Sequence, residues 1–158
     1  MRIKSEIWVK AYLRSCQGRG VAAVVVRRVI AASAEDLFDA WLDPQALAQW
    51  MRPGTINSTV ARVEPRVGGE YEITMQGQSG PIVHKGVYRI IERPKRLVFT
   101  WISGPTENKE TLVTVDFVRV EKRSEVIVTH EQLPESAMPS HRNGWTSGLE
   151  HLDEACQK

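Results

Sequence analysis

Residues 69–92 read GEYEITMQGQSGPIVHKGVYRIIE, two alternating runs joined by Gly, Gln, Ser and Pro. In the first run Tyr71, Ile73 and Met75 alternate with Glu70 and Glu72, so the two sets face opposite sides of a strand. In the second, Lys85 and Arg89 belong in water, which turns His84, Gly86, Tyr88 and Ile90 inward. The turn chemistry of 77–81 makes the pair an antiparallel hairpin. Aromatic and apolar on one face, charged on the other, it is a sheet that covers a core on one side.

The same pattern extends both ways. Strands are expected at 56–64, 97–102, 110–120 and 125–132, with turns at 65–68, 93–96, 104–109 and 121–124, an antiparallel meander. Leu97, Phe99 and Trp101 alternate along one strand, Val113, Val115 and Phe117 along the next, and Val126, Val128 and His130 along the last. Residues 21–30 are β-branched and almost continuously apolar, which predicts a first strand buried on both faces. Between this strand and the meander, Ser33 caps a short helix carrying Leu37, Phe38, Trp41 and Leu42. Asp43-Pro44 starts a second, with Leu47, Trp50 and Met51, that ends before Pro53-Gly54. After the meander, His141, Trp145, Leu149, Leu152 and Cys156 form one face of a long helix over 139–155. Gly144 and Gly148 on it lower helix propensity, so they either permit close packing or leave room for a ligand.

Composition bounds the rest. The 158 residues are 42% apolar and 25% charged, the profile of one globular domain rather than a disordered or coiled-coil chain. The longest apolar run, 21–26, falls far short of the ~20 residues of a membrane span. Cys16 and Cys156 lie near opposite ends and make no disulfide framework, so a cytoplasmic setting is expected. The net charge of +2 hides a split. Residues 1–28 hold seven Lys/Arg and one acid, for +6; the remainder holds 14 basic and 18 acidic side chains, for −4. Residues 1–20 are read as an amphipathic helical extension, with Ile7, Trp8, Ala11, Tyr12 and Cys16 at helical spacing, on a domain spanning 21–158. Its apolar face would dock on the sheet, join a homodimer or lie on a membrane surface. No aromatic interleaving supports nucleic-acid binding by this basic segment.

Seven twisted strands present one long face, and a single amphipathic helix is narrower than that face. A groove between helix and sheet is the expected remainder, a place for a small hydrophobic molecule. The residues expected along it are Trp50, Tyr71, Met75, His84, Tyr88, Phe99, Trp101, Phe117, His130, Trp145 and Leu149. His84 and His130 are ligand anchors, an acid–base pair or hydrogen-bonded core histidines; the spacing leaves all three open. No catalytic residue is assigned, and an enzyme alternative would use His84, Tyr88 or His130. His84, His130, His141 and His151 lack paired metal-ligand spacing, so no metal is expected. Gly68-Gly69 precedes a strand and is no phosphate loop, so no cofactor is expected.

Several local patterns in series resemble a known family. They are Val26-Arg27-Arg28-Val29-Ile30 with Ser33, Phe38-Asp39-Ala40-Trp41, and Asp43-Pro44 with Leu47 and Trp50. Further on come Arg66 to Tyr71, Gly86-Val87-Tyr88, Arg96 to Trp101, Thr129-His130-Glu131, and Gly144-Trp145 with Leu149 and Leu152. Over residues 22–156 the chain is similar to the activator-of-Hsp90-ATPase C-terminal-domain family, within the START, Bet v 1 and polyketide-cyclase-like superfamily. The resemblance implies an α+β helix-grip fold, a curved antiparallel sheet of about seven strands around a long C-terminal helix, with two short helices after strand 1. It also implies a hydrophobic-ligand cavity. A co-chaperone role would follow from the family's name. It is disfavoured because the eukaryotic activator uses a further N-terminal domain that 20 residues cannot replace.

Overall fold

The computed structural model describes residues 23–157. Seven strands build one antiparallel sheet: β1 (Val24–Ile30), β2 (Ser58–Val63), β3 (Glu70–Gly77), β4 (Gly80–Glu92), β5 (Arg96–Trp101), β6 (Thr111–Val120) and β7 (Arg123–Glu131). Their order is β1-β7-β6-β5-β4-β3-β2, curled as a half-barrel. Helices α1 (Ala34–Ala40) and α2 (Pro44–Trp50) follow β1, and α3 (Met138–Cys156) closes the chain over the concave face. This is the helix-grip arrangement expected. The expected helical extension over residues 1–20 and its boundary with the domain lie outside the described residues.

Both short helices start as their sequences dictate. The Asp36 backbone N–H donates to the Ser33 hydroxyl at 3.1 Å, and that of Gln45 donates to the Asp43 carboxylate at 3.0 Å with Pro44 in the first turn. The hairpin of 69–92 is tighter than its turn residues suggested: β3 and β4 pair as far as Gly77 and Gly80, joined by Gln78-Ser79. Gly80, at φ 114, adopts a backbone that L side chains rarely take.

Two expectations fail, each because of how the strand is placed in the sheet. β1 is buried on one face only, with Val25 40% and Val29 43% exposed. It is the sheet's edge strand, and α3 packs across its inner face, fastened by the Arg28 guanidinium on Asp153 at 2.8 Å. On β4, Ile90 points outward and is 36% exposed, while Ile91 packs on the core. The register with β5 shifts between Tyr88 and Ile90, and the extra residue exchanges the faces beyond it.

Gly86 shapes the middle of the sheet. A Cβ there would lie 1.9 Å from the Thr100 carbonyl oxygen and 2.8 Å from the Tyr71 ring. Its absence lets Tyr71, the cross-strand partner of Gly86, reach over β4 and donate its hydroxyl to that carbonyl on β5. The Thr100 hydroxyl in turn accepts the Val87 N–H at 2.8 Å. Strands β4 and β5 are thus joined partly through side chains where their ladder opens.

Candidate functional site

Most of the concave face is filled. Trp41 stands 4.6 Å from Trp50 and 5.8 Å from Trp145 between ring centroids, and Trp145 stands 5.2 Å from Trp101. Trp50 donates its indole N–H to the Ala40 carbonyl at 3.0 Å, so its one polar atom is satisfied inside the core. Phe117 packs on Phe38 at 5.3 Å. Trp50, Phe117 and Leu149 are therefore walls of a dry interior. Tyr71, Tyr88, Phe99 and Trp101 surround a residual space of about 10 Å³, at the lower limit for one water.

His130, on β7, is fully buried and engaged at both ring nitrogens. The Thr111 hydroxyl donates to the Trp101 carbonyl at 2.6 Å, so it accepts from Nε2–H of His130 at 2.8 Å. That leaves Nδ1 as the acceptor for the Trp145 indole N–H at 3.0 Å. The relay fixes one neutral tautomer and joins α3 to β7, β6 and β5. Burial, reinforced by His141 and His84, lowers the His130 pKa to about 3. Of the three roles its sequence left open, the geometry fits a hydrogen-bonded core histidine.

The space that does remain lies at one end of the groove. A cleft of about 580 Å³ opens between the first half of α3, the loop after α2 and the ends of β3, β4 and β5. Of the residues expected to meet a ligand, Met75, His84, Trp101 and Trp145 line it; Trp50, Tyr71, Tyr88, Phe99, Phe117, His130 and Leu149 do not. Met51, Ile56, Ile82 and Pro105 also line it, together with His141 and Gly144. Ile82 was legible as a wall residue, because it shares the parity of His84 and pairs with Met75. Met51 and Ile56 flank the Pro53-Gly54 turn, and only the path of the chain brings them there. The Gly54 N–H donates to the Ser147 hydroxyl at 3.2 Å, tying this loop to α3 at the rim. A Cβ on Gly144 would meet Pro53 at 3.7 Å, ordinary contact, so Gly144 borders the space rather than permitting a clash-free crossing.

Two polar atoms of the wall are unsatisfied. The Nδ1 of His84 and the indole Nε1 of Trp101 are buried without a hydrogen-bond partner, on rings 4.7 Å apart. Each such orphan costs about 1–3 kcal/mol. Burial lowers the His84 pKa to about 4, partly offset by the carbonyls of Ile73 and Ile82, so the ring is neutral near pH 7. His141 donates Nδ1–H to the Ala137 carbonyl at 2.7 Å, and burial lowers its pKa as well. Among the described residues no Lys, Arg, Asp or Glu lines the cleft. Among the described residues no cluster of His, Cys, Asp and Glu could hold a metal ion, and no helix is long and apolar enough to cross a membrane.

The family model described as Activator of Hsp90 ATPase homolog 1-like protein matches residues 31–157. The chain belongs to this family. No curated protein matches it in sequence. Among solved structures, a Rhodobacter sphaeroides protein shares 23% identity at a TM-score of 0.75, covering 87% of this chain and 96% of its own. A Chromobacterium violaceum protein shares 24% at a TM-score of 0.73, covering 85% and 96%. An HSP90 activator from Plasmodium falciparum shares 26% at a TM-score of 0.67, covering 85% and 95%. The helix-grip fold is common to all three, and membership of the Hsp90-activator-like family is consistent with a ligand-binding or cyclase-like role.

Proposed function

We propose that this Hsp90-activator-like protein binds a small hydrophobic or amphipathic molecule in the cleft beside α3, without covalent chemistry. The observation that carries this reading is the cleft itself, whose volume of about 580 Å³ falls within the range of small-molecule sites. Its walls are mainly aliphatic and aromatic, with a few polar atoms, the usual composition of such sites. His130, the most buried candidate for acid–base chemistry, has both nitrogens occupied. Native mass spectrometry and thermal-shift screening with fatty acids, sterols and aromatic polyketides test the proposal. At least one class is expected to raise the melting temperature by about 5 °C when present at a hundred times its Kd. Gly144→Leu, which fills the cleft from α3, should remove that shift. Failure of every class to bind would sink the reading.

A second reading rests on the Plasmodium falciparum relative, which is an HSP90 activator and is covered over 95% of its length. It predicts stimulation of an Hsp90-type ATPase by this chain. A turnover rate that stays at its basal value under saturating protein removes it.

A further inference from the structure

The sequence of β1 is apolar on both faces, yet among the described residues only its inner face is covered. There α3 packs on it; Val25 and Val29 on the outer face are 40% and 43% exposed. The convex surface continues from them. Val29, Glu125 and Val118 stand side by side on three neighbouring strands, and Val118 is 45% exposed. Ile127, the next outward residue on β7, is half-buried. These four apolar side chains make a stripe along the β1 edge of the sheet. Arg27 crosses it, 3.8 Å from the Glu125 carboxylate, and Glu131 lies at the end where the chain enters β1.

Residues 1–22 lead directly into this strand. Over 5–17, Ile7, Trp8, Ala11 and Tyr12 share one face of the expected helix. Residues 1–20 hold five Lys/Arg and one acid, for +4, against a net −4 beyond residue 28. A helix over 5–17 is about 20 Å long, and the seven residues of β1 span about 23 Å. Residues 18–23, with Gly18 and Gly20, are enough to reverse the chain at the sheet edge. We propose that residues 1–20 of the same chain cover this stripe, lying back along β1 and β7 on the convex face. Trp8 and Tyr12 meet the valines, and the basic side chains turn toward Glu125 and Glu131. Both faces of β1 are then buried, as its sequence requires. The basic appendage is a cover for the sheet edge rather than an arm for a membrane or a second copy.

Disulfide trapping in the full-length chain tests this. Native Cys16 is combined with Thr129→Cys, on the stripe beside Val25, or with Arg142→Cys on α3, both in a Cys156→Ser background. Arg142 also reaches Val25, 3.4 Å from its carbonyl, so an undocked segment would meet either new thiol equally. Under mild oxidation, Cys16 is expected to link to position 129 of its own chain at least about tenfold faster than to position 142. Equal rates, or a faster link to position 142, overturn the proposal, and so does a link between two chains. If a cysteine variant does not fold, Trp8→Asp decides. It should lower the melting temperature by about 5 °C, and an unchanged value overturns the docking. Pelleting of the wild type with vesicles of phosphatidylglycerol and phosphatidylcholine, lost in Trp8→Asp, would also overturn it and assign the segment to a membrane surface.

Discussion

At the β7 side of the groove, His130 meets Trp145 and Thr111 with every ring nitrogen used, and Leu149 is fully buried in the core. At the β3–β5 end, His84 meets Trp101 with neither His84 Nδ1 nor the indole N–H used, and a cleft opens beside them. The residue types are the same and both histidines are inward-facing on strands. What differs is the number of elements that converge. Around His130 the interior is enclosed by α3 on one side and by β1, β6 and β7 on the other. Toward the first half of α3 the loop after α2 and the ends of β3, β4 and β5 stand around the helix without filling the space, and the loop touches α3 through Gly54 and Ser147. A polar side chain is a structural fastener where neighbours complete its hydrogen bonds, and keeps unmet hydrogen-bonding capacity where they do not.

The sharpest way to break this comparison is by truncation. Leu149→Ala, in the sealed interior, should cost about 2–5 kcal/mol of unfolding free energy. Ile82→Ala, on the cleft wall and half-buried, should cost about 1 kcal/mol or less. Urea denaturation of both variants checks the contrast, and equal losses would erase the distinction between sealed and open ends.

The histidines give the next effect. His130→Ala should destabilise by about 2–4 kcal/mol, because it opens a cavity and leaves the Trp145 N–H without its acceptor. His84→Ala breaks no hydrogen bond at Nδ1, and a smaller loss of about 1 kcal/mol is expected. The same denaturation series measures both.

Acid stability sharpens it further. Both histidines have folded-state pKa values below the ordinary 6.5, about 3 for His130 and about 4 for His84. The unfolded chain therefore takes up protons near pH 6.5 that the folded chain refuses. Their contribution is complete above pH 6.5 and is lost as pH falls toward 4 and 3. Each should contribute a slope of about 1.4 kcal/mol per pH unit within that window. Unfolding free energies at pH 7 and pH 5 should fall in the wild type and fall less steeply in His130→Ala. A flat profile between those pH values would mean that the rings are not held neutral.

Much of this architecture was legible beforehand. The alternation of Tyr71, Ile73 and Met75 against Glu70 and Glu72, the caps at Ser33 and Asp43, and the stripe from His141 to Leu152 each depend on neighbours a few residues away. Such local patterns survive in the finished fold. The misreadings fall where the outcome depends on distant chain. The run 21–30 gives no sign that its strand lies at an edge with one face open, and the bulge that turns Ile90 outward arises from pairing with β5.

For the candidate site the division is sharper. Alternation placed the aromatic residues and both histidines on the inner face, and so determined that any ligand would meet an apolar, aromatic surface. Which of those residues stay available was decided by tertiary packing alone. Trp50 packs on Trp41, Phe117 on Phe38 and Trp41, and Leu149 is buried in the same core, while Thr111 and Trp145 together satisfy His130. Free volume and unsatisfied hydrogen bonds are properties of what surrounds a side chain on every side. A sequence specifies the face on which a residue lies, but only the folded chain determines whether that face is filled.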